Sequence, residues 1–341
     1  MRLATERNRK LFRRRLVRHR DKMRALVRRH REARAMRHVE RRRVLAQAPS
    51  FWVETRRRLR LGLIVLATLL AFGMWMCCWP LQPFAPKAMR PLRRAILKLW
   101  GRSLLRIINM KLEVWGRPPK PPCYIVANHL GYVDIWALAA VTGAVFVAKA
   151  DMESWPLMGW FMKKSHQIFI RRESLKDSQR VMGLLQEVLD KDDCLVVFAE
   201  GRCSRGVEVL PFRPSLFQIA AEREFPVHYA ALSFSTPEGE PAAADSISWW
   251  RWEPLGEQMA RLLRLSRSTA RVYFGPQPVV SKCRKELARK THAGVSELFV
   301  PIAQGVLEEL PCPEDAPVWL FPEKKNAVNI TPSEEKPKAF F

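Results

Sequence analysis

The stretch Asn128-His129-Leu130-Gly131-Tyr132-Val133-Asp134 sets an imidazole and a carboxylate close together, directly after the apolar run 123–127 (CYIVA). A short bounded apolar run reads as a buried strand, so His129 falls where the strand ends and Asp134 in the first turn of the next helix. A carboxylate beside an imidazole raises its basicity and fixes its tautomer and orientation. Such a histidine can take a proton from an alcohol. Taken alone, the pair has a plainer reading as a surface histidine and a helix-start aspartate.

A second group, Phe198-Ala199-Glu200-Gly201-Arg202-Cys203-Ser204-Arg205-Gly206, also follows an apolar strand pattern. Gly201 and Gly206 permit close backbone approach, and Arg202 and Arg205 offer charge and hydrogen bonds to a phosphate or other anion. Its plain alternative is a charged strand-to-helix loop. The third group runs from Lys149 through Pro156 and Gly159 to Phe169-Ile170-Arg171-Arg172. Basic residues at a strand end can bind an anionic head group, or they can be a solvated strand terminus.

These groups need a scaffold that delivers strand ends to one place. From about 115 to 310 short apolar runs recur at 123–127, 144–148, 166–170, 194–199 and 227–234, with a further strand at 270–275. A helical stretch at 176–190 and a C-terminal helix at 283–309, broken near Pro301, complete the pattern. The alternation predicts an α/β domain with a central mixed sheet flanked by helices.

The 341 residues carry 59 Lys and Arg against 33 Asp and Glu, a net charge of +26. Residues 1–60 hold 23 of the basic and 5 of the acidic side chains, so most of the excess belongs to an arm. That charge excludes an acidic solvating protein and points to a polyanionic partner. Residues 5–46 contain neither Gly nor Pro, and Phe12, Leu16, Met23 and Val27 recur at helical spacing. A basic amphipathic helix on an anionic bilayer is the first reading of the arm, a solvated charged arm the second and a nucleic-acid binder the third. No nucleic acid is expected as partner.

Residues 61–80 are uncharged and mostly apolar, long enough to span a bilayer at about 1.5 Å per residue. Both flanks are basic, with Arg56, Arg57, Arg58 and Arg60 before and Lys87, Arg90, Arg93, Arg94, Lys98, Arg102 and Arg106 after. A single crossing would violate the charge bias on one side. After the break at 82–86 (QPFAP), Leu92, Ile96, Leu99, Trp100, Ile107 and Ile108 mark a second, amphipathic helix. The expectation is a two-helix anchor over 61–110 that dips into one leaflet, with a full span as the runner-up. The organisation is then a basic arm (1–60), an anchor (61–110), a catalytic domain (111–310) and a Pro-rich tail (311–341). Seven cysteines at irregular spacing, without a C-x-x-C pair, argue against a disulfide framework or zinc site and for reduced cytosolic exposure.

In their order and separations the three groups resemble the glycerolipid acyltransferase family, over about 85–300. Asn128, His129 and Asp134 match its N-H-x4-D motif. Lys149, Pro156, Gly159, Phe169, Ile170 and Arg172 match its middle block, and Phe198, Glu200, Gly201, Ser204 and Gly206 match its F-P-E-G-T-R-S-x-G motif. Ala199, Arg202, Cys203 and Arg171 depart from the family pattern and bear on the acceptor head group more than on the reaction. The segments VLPFRPSLF, EPLGEQMARLL and RKELARKTH look more loosely like the branch containing lyso-ornithine lipid acyltransferases.

The resemblance implies the glycerolipid acyltransferase fold and acyl transfer from acyl-CoA or acyl carrier protein to a lysolipid hydroxyl. The acceptor it implies first is 1-acyl-sn-glycerol-3-phosphate, and second lyso-ornithine lipid. His129 would be the general base and Asp134 its support, while Arg172, Glu200, Gly201, Arg202 and Arg205 would hold the acceptor. A thioester is already activated, so no cofactor or metal is expected, and Cys203 as an acylated nucleophile is the minor alternative. The expected place is the inner or cytoplasmic membrane with the site on the cytosolic face, where polar thioesters meet the lipid. A non-catalytic lipid-binding membrane protein is the competing reading from another class.

Overall fold

The computed structural model describes residues 50–154, 158–170, 175–251 and 253–303. The arm before Ser50, Pro156, Arg171, Arg172 and the 311–341 tail lie outside the described residues. The chain divides after Thr55. Residues 50–55 begin helix α1 (Phe51–Cys78), and the second unit carries the rest.

Helix α2 (Pro86–Ile107) precedes strand β1 (Met110–Trp115) and β2 (Cys123–Ala127). Then come α3 (Tyr132–Thr142), β3 (Val145–Lys149), α4 (Met158–Lys164), β4 (Ile168–Ile170), α5 (Leu175–Asp190) and β5 (Cys194–Phe198). The remainder is α6 (Gln218–Glu222), β6 (Val227–Ser235), α7 (Ala243–Ser246), α8 (Leu255–Arg264), β7 (Ser268–Phe274) and α9 (Arg284–Leu298). The seven strands form one mixed sheet in the order β1-β7-β6-β2-β5-β3-β4. β6, β2, β5, β3 and β4 run parallel, β7 is antiparallel to β6, and β1 is parallel to β7.

The expected α/β class with a mixed sheet is therefore the observed one. The unbroken apolar runs at β2 and β5 have a direct cause. Side chains alternate across a strand, and here both faces are covered. Cys123, Ile125 and Ala127 enter one apolar cluster with residues of α2 and α3, while Tyr124 and Val126 enter the other with residues of α5 and α9. Helix α2 lies close on α3 at Gly101, where an added Cβ would stand 2.6 Å from backbone atoms of Trp136 and Ala140.

Three differences from the sequence expectations have physical reasons. Strand β1 was not among the expected runs: it is an edge strand with only Met110 fully buried, so its apolar signal is thin. Helix α9 stops at Leu298, before Pro301, because the chain turns extended at Phe299. Cys123 and Cys194 form a disulfide, although the cysteine spacing argued against a disulfide framework. The two are register partners on β2 and β5, and a pairing set by strand register across 71 residues leaves no local sequence signal.

Helix α1 begins ten residues ahead of the apolar run, and Arg56 and Arg60 turn to the body of the protein. Arg60 is buried. Its Nη1 donates to the carbonyl of Leu263 (3.1 Å) and to that of Leu265, and Nη2 donates to Ser266 (3.2 Å). A guanidinium thus satisfies carbonyls left open at the end of α8. Further along, Trp100 Nε1 donates to Thr68 Oγ1 (3.1 Å), Phe72 packs on Trp160, and Trp75 Nε1 donates to the Lys164 carbonyl (2.7 Å). On the other side Leu59, Leu63, Leu66, Leu70 and Met74 are exposed, spaced by three or four residues on one face.

Candidate active site

The parallel pairing of β2 with β5 sets Ala127 opposite Phe198, so the two leading motifs leave the same carboxyl edge of adjacent strands. That edge is where open α/β sheets place their ligands. Asn128 extends the order by one residue. Its Nδ2 donates to the Leu232 carbonyl (3.0 Å), and its Oδ1 accepts from the Leu232 N–H (2.7 Å). The amide side chain thereby mimics a strand partner to β6 and fixes the exit of β2.

His129 Nδ1 lies 2.7 Å from Asp134 Oδ2. The same oxygen accepts from the N–H groups of Leu130 (2.5 Å) and Gly131 (2.9 Å). Asp134 is thus both a cap for the start of α3 and the partner of the imidazole, so the helix-start reading and the functional reading describe one carboxylate. Its side chain is fully buried, while that of His129 is 18% exposed and reachable from outside. The Phe198 ring stacks on the imidazole with centroids 4.1 Å apart. Burial works against the charged imidazole. The Cys203 sulfur and the Asp134 carboxylate outweigh it and raise the His129 pKa above that of a free imidazole.

The second motif folds against the first. Glu200 is buried, and its Oε1 accepts from the His129 N–H (3.2 Å). Burial pushes its carboxyl up to about 8, against the opposing pull of that hydrogen bond. The Ser204 N–H donates to the His129 carbonyl (2.9 Å). Gly201 holds φ at +75°, a conformation that strains any residue with a Cβ, and the Arg213 side chain packs close over it. Arg202 is exposed, whereas Arg205 is half-buried. The middle block exits beside them in the sheet order, since Lys149 ends β3 and pairs with Ile170 of β4. Arg172 lies outside the described residues. Among the described residues no cluster of three or more His, Cys, Asp or Glu is placed to hold a metal ion.

One part of the site escaped the motifs. The segment 246–251 (SISWWR) closes over the turn after β2: the Trp249 N–H donates to the Leu130 carbonyl (2.7 Å). Ser248 Oγ lies 2.8 Å from that carbonyl and 2.6 Å from the carbonyl of Ser204. Trp249 also packs against Tyr132, with ring centroids 4.4 Å apart and the planes tilted by 30°. The sequence signal was available as three tryptophans within four positions, Trp249, Trp250 and Trp252, outside any helix or strand pattern.

A His–Asp pair with a buried carboxylate and a reachable imidazole, at the carboxyl edge of a mixed sheet, belongs to a chain whose residues 111–233 match the family model described as Acyltransferase. Two lyso-ornithine lipid O-acyltransferases are similar to it. The one from Rhodobacter capsulatus is 31% identical over 60% of this chain and 76% of its own. The one from Pseudomonas aeruginosa is 32% identical over 70% of this chain and 93% of its own. The 1-acyl-sn-glycerol-3-phosphate acyltransferase of Neisseria meningitidis is 34% identical over 46% of this chain and 61% of its own. The chain belongs to the acyltransferase family, and it is an enzyme of the O-acyltransferase class.

Proposed function

We propose that this enzyme acylates the free hydroxyl of a lysolipid by direct attack on a thioester, with acyl-CoA or acyl carrier protein as donor. The observation that carries the mechanism is the Asp134 oxygen shared between His129 Nδ1 and two backbone amides. It fixes the tautomer with the proton on Nδ1 and leaves Nε2 to take the acceptor's proton. The alkoxide oxygen bonds to the thioester carbonyl carbon, the carbon–sulfur bond breaks, and the departing thiolate takes the proton back from His129. Glu200 and Gly201 shape the loop beside the base, and Arg172, Arg202 and Arg205 supply positive charge for the acceptor. No cofactor or metal enters these steps.

The two lyso-ornithine lipid O-acyltransferases named above align over 60% and 70% of this chain, against 46% for the 1-acyl-sn-glycerol-3-phosphate acyltransferase. That difference supports lyso-ornithine lipid as the first acceptor and 1-acyl-sn-glycerol-3-phosphate as the second, reversing the order that the motifs alone suggested. Membranes containing the protein, given labelled acyl-CoA or acyl carrier protein thioester with each acceptor, test both. Label is expected in the diacyl product of lyso-ornithine lipid above that of lysophosphatidate. If neither acceptor is acylated above a His129→Ala control with either donor, the reading fails.

The contacts of α1 support a one-leaflet anchor over a full span. Arg60 near its start and Trp75 near its end both bond to the catalytic body, so the helix lies along the domain for about 22 Å at 1.5 Å per residue. A helix crossing the bilayer could not keep both contacts with a domain that stays in water. The exposed stripe Leu59–Leu63–Leu66–Leu70–Met74, with Leu81 and Phe84 beyond it, is the surface that enters the lipid. These contacts support a site at the membrane surface, and the reading takes the cytosolic face of the inner or cytoplasmic membrane, where a polar thioester and a lysolipid meet. Leu66→Glu with Leu70→Glu should move the protein from the membrane pellet to the supernatant after a high-salt wash. Retention equal to wild type would refute the one-leaflet stripe.

A further inference from the structure

Asp134 Oδ2 accepts from the N–H groups of Leu130 and Gly131, which belong to two successive peptide planes of the turn carrying His129. A peptide group is planar, so whatever holds its carbonyl also aims its N–H. The carbonyl of the first plane, at His129, receives the Ser204 N–H (2.9 Å). The carbonyl of the second, at Leu130, receives the Trp249 N–H (2.7 Å). Each plane is therefore held on one side by Asp134 and on the other by a residue distant in sequence.

The Ser248 hydroxyl joins the two outer supports. Its Oγ lies 2.6 Å from the Ser204 carbonyl and 2.8 Å from the Leu130 carbonyl. A hydroxyl has one proton to give. The Leu130 carbonyl already has the Trp249 N–H and the Ser204 contact is the shorter, so that proton goes to Ser204. Ser248 and Ser204 are both buried, where an unmade hydrogen bond is costly. Helix α8 holds the segment from behind. Gln258, also buried, donates from Nε2 to the carbonyls of Ile247 (2.8 Å) and Ser246 (3.3 Å). Its Oε1 accepts from Arg261 Nη2 (2.6 Å), which fixes the way the amide faces.

We propose that Ser248, seated by Gln258, is a positioning residue for the base: by bridging the two motif loops it keeps both backbone N–H groups aimed at the Asp134 oxygen that holds His129. The proposal rests on the acyltransferase reading above and adds to that site a segment outside its three motifs. Ser248 acts through the turn and touches neither substrate. Its loss therefore bears on the geometry of the proton transfer, where a small displacement of the reacting groups is expensive, and not on the affinity for either substrate.

Steady-state kinetics in detergent micelles, with acceptor and thioester varied separately, test this. Ser248→Ala should lower kcat by about 3- to 10-fold, the size of one ordinary hydrogen bond, with the KM of both substrates unchanged. Gln258→Leu, which frees the same segment from behind, should give the same pattern at smaller size. A protein that is merely less well folded would lose the same factor in any background. A positioning residue acts only through the base, so adding Ser248→Ala to His129→Ala should leave the residual turnover as it is. Hydrogen exchange over residues 128–134 reads the turn without turnover: the Leu130 and Gly131 amides should exchange faster in Ser248→Ala, by a similar factor. An unchanged kcat, an equal loss in the His129→Ala background, or unchanged exchange overturns the proposal. Active wild type beside an equally active Ser248→Ala would sink the positioning role and leave the acyltransferase reading intact. Wild type that transfers no acyl group to any lysolipid would sink that reading, while exchange still decides whether Ser248 holds the turn.

Discussion

Replacing His129 by Ala should lower acyl transfer by about 10²- to 10⁴-fold, the usual contribution of a positioned general base. Asp134→Asn should also lose rate, for a different reason. The amide can still accept from the Leu130 and Gly131 N–H groups and cap α3, so the fold should survive. What disappears is the charge that stabilises the imidazolium as the proton arrives. The pH profile gives the sign. A general base must be neutral, so kcat/KM should rise with pH through the His129 pKa, on the alkaline side of a free imidazole. The Cys203 sulfur and the Asp134 carboxylate together hold that pKa up, so Asp134→Asn should shift the rising limb part of the way to lower pH while reducing the plateau. A limb that stays in place, or a His129→Ala enzyme with wild-type rate, would remove the base from the mechanism.

The second large effect concerns stability. Arg93 on α2 is buried, and it donates from Nη2 to Asp193 Oδ2 (2.5 Å) and from Nη1 to the Ser165 carbonyl (3.1 Å). Asp193 also accepts from Arg94 (3.2 Å) and from the Cys194 N–H (2.9 Å) at the entry to β5. This cluster joins α2 to the strand that carries the second motif. Arg93→Met leaves a buried carboxylate with Arg94 as its remaining cation, and should cost about 3 kcal/mol. For a folded body of roughly 250 residues that is about a 6–12 °C fall in Tm by thermal scanning in detergent. Adding Asp193→Asn should recover a good part, because the uncompensated charge then goes too. A single variant melting with the wild type would show that Arg94 alone carries the pair.

Arg93 and Arg94 also show how far sequence reading reached. Both counted among the seven cations that follow the apolar run and spoke against a simple crossing. In the fold they face Asp193, so they are weaker witnesses about the membrane than they looked. The better argument is Arg60, whose bonds to the end of α8 bridge 203 to 206 residues and leave no mark in local sequence. The same limit explains the Cys123–Cys194 disulfide and the place of Ser248 beside Leu130 and Ser204. Each depends on register or on a chain reversal that no window of residues contains.

By itself, the sequence determined the α/β class, most of the strands and the His129–Asp134 pair, because burial of both sheet faces and the strand-end position of the motif are written in local patterns. The tertiary structure decided the rest. It showed that Asp134 caps a helix with the oxygen that meets His129, and that Glu200 braces the His129 backbone. It also brought Trp250, 45 positions downstream, beneath Arg205. Those relations arise where parallel strands end side by side, and only the folded sheet sets which ends are neighbours.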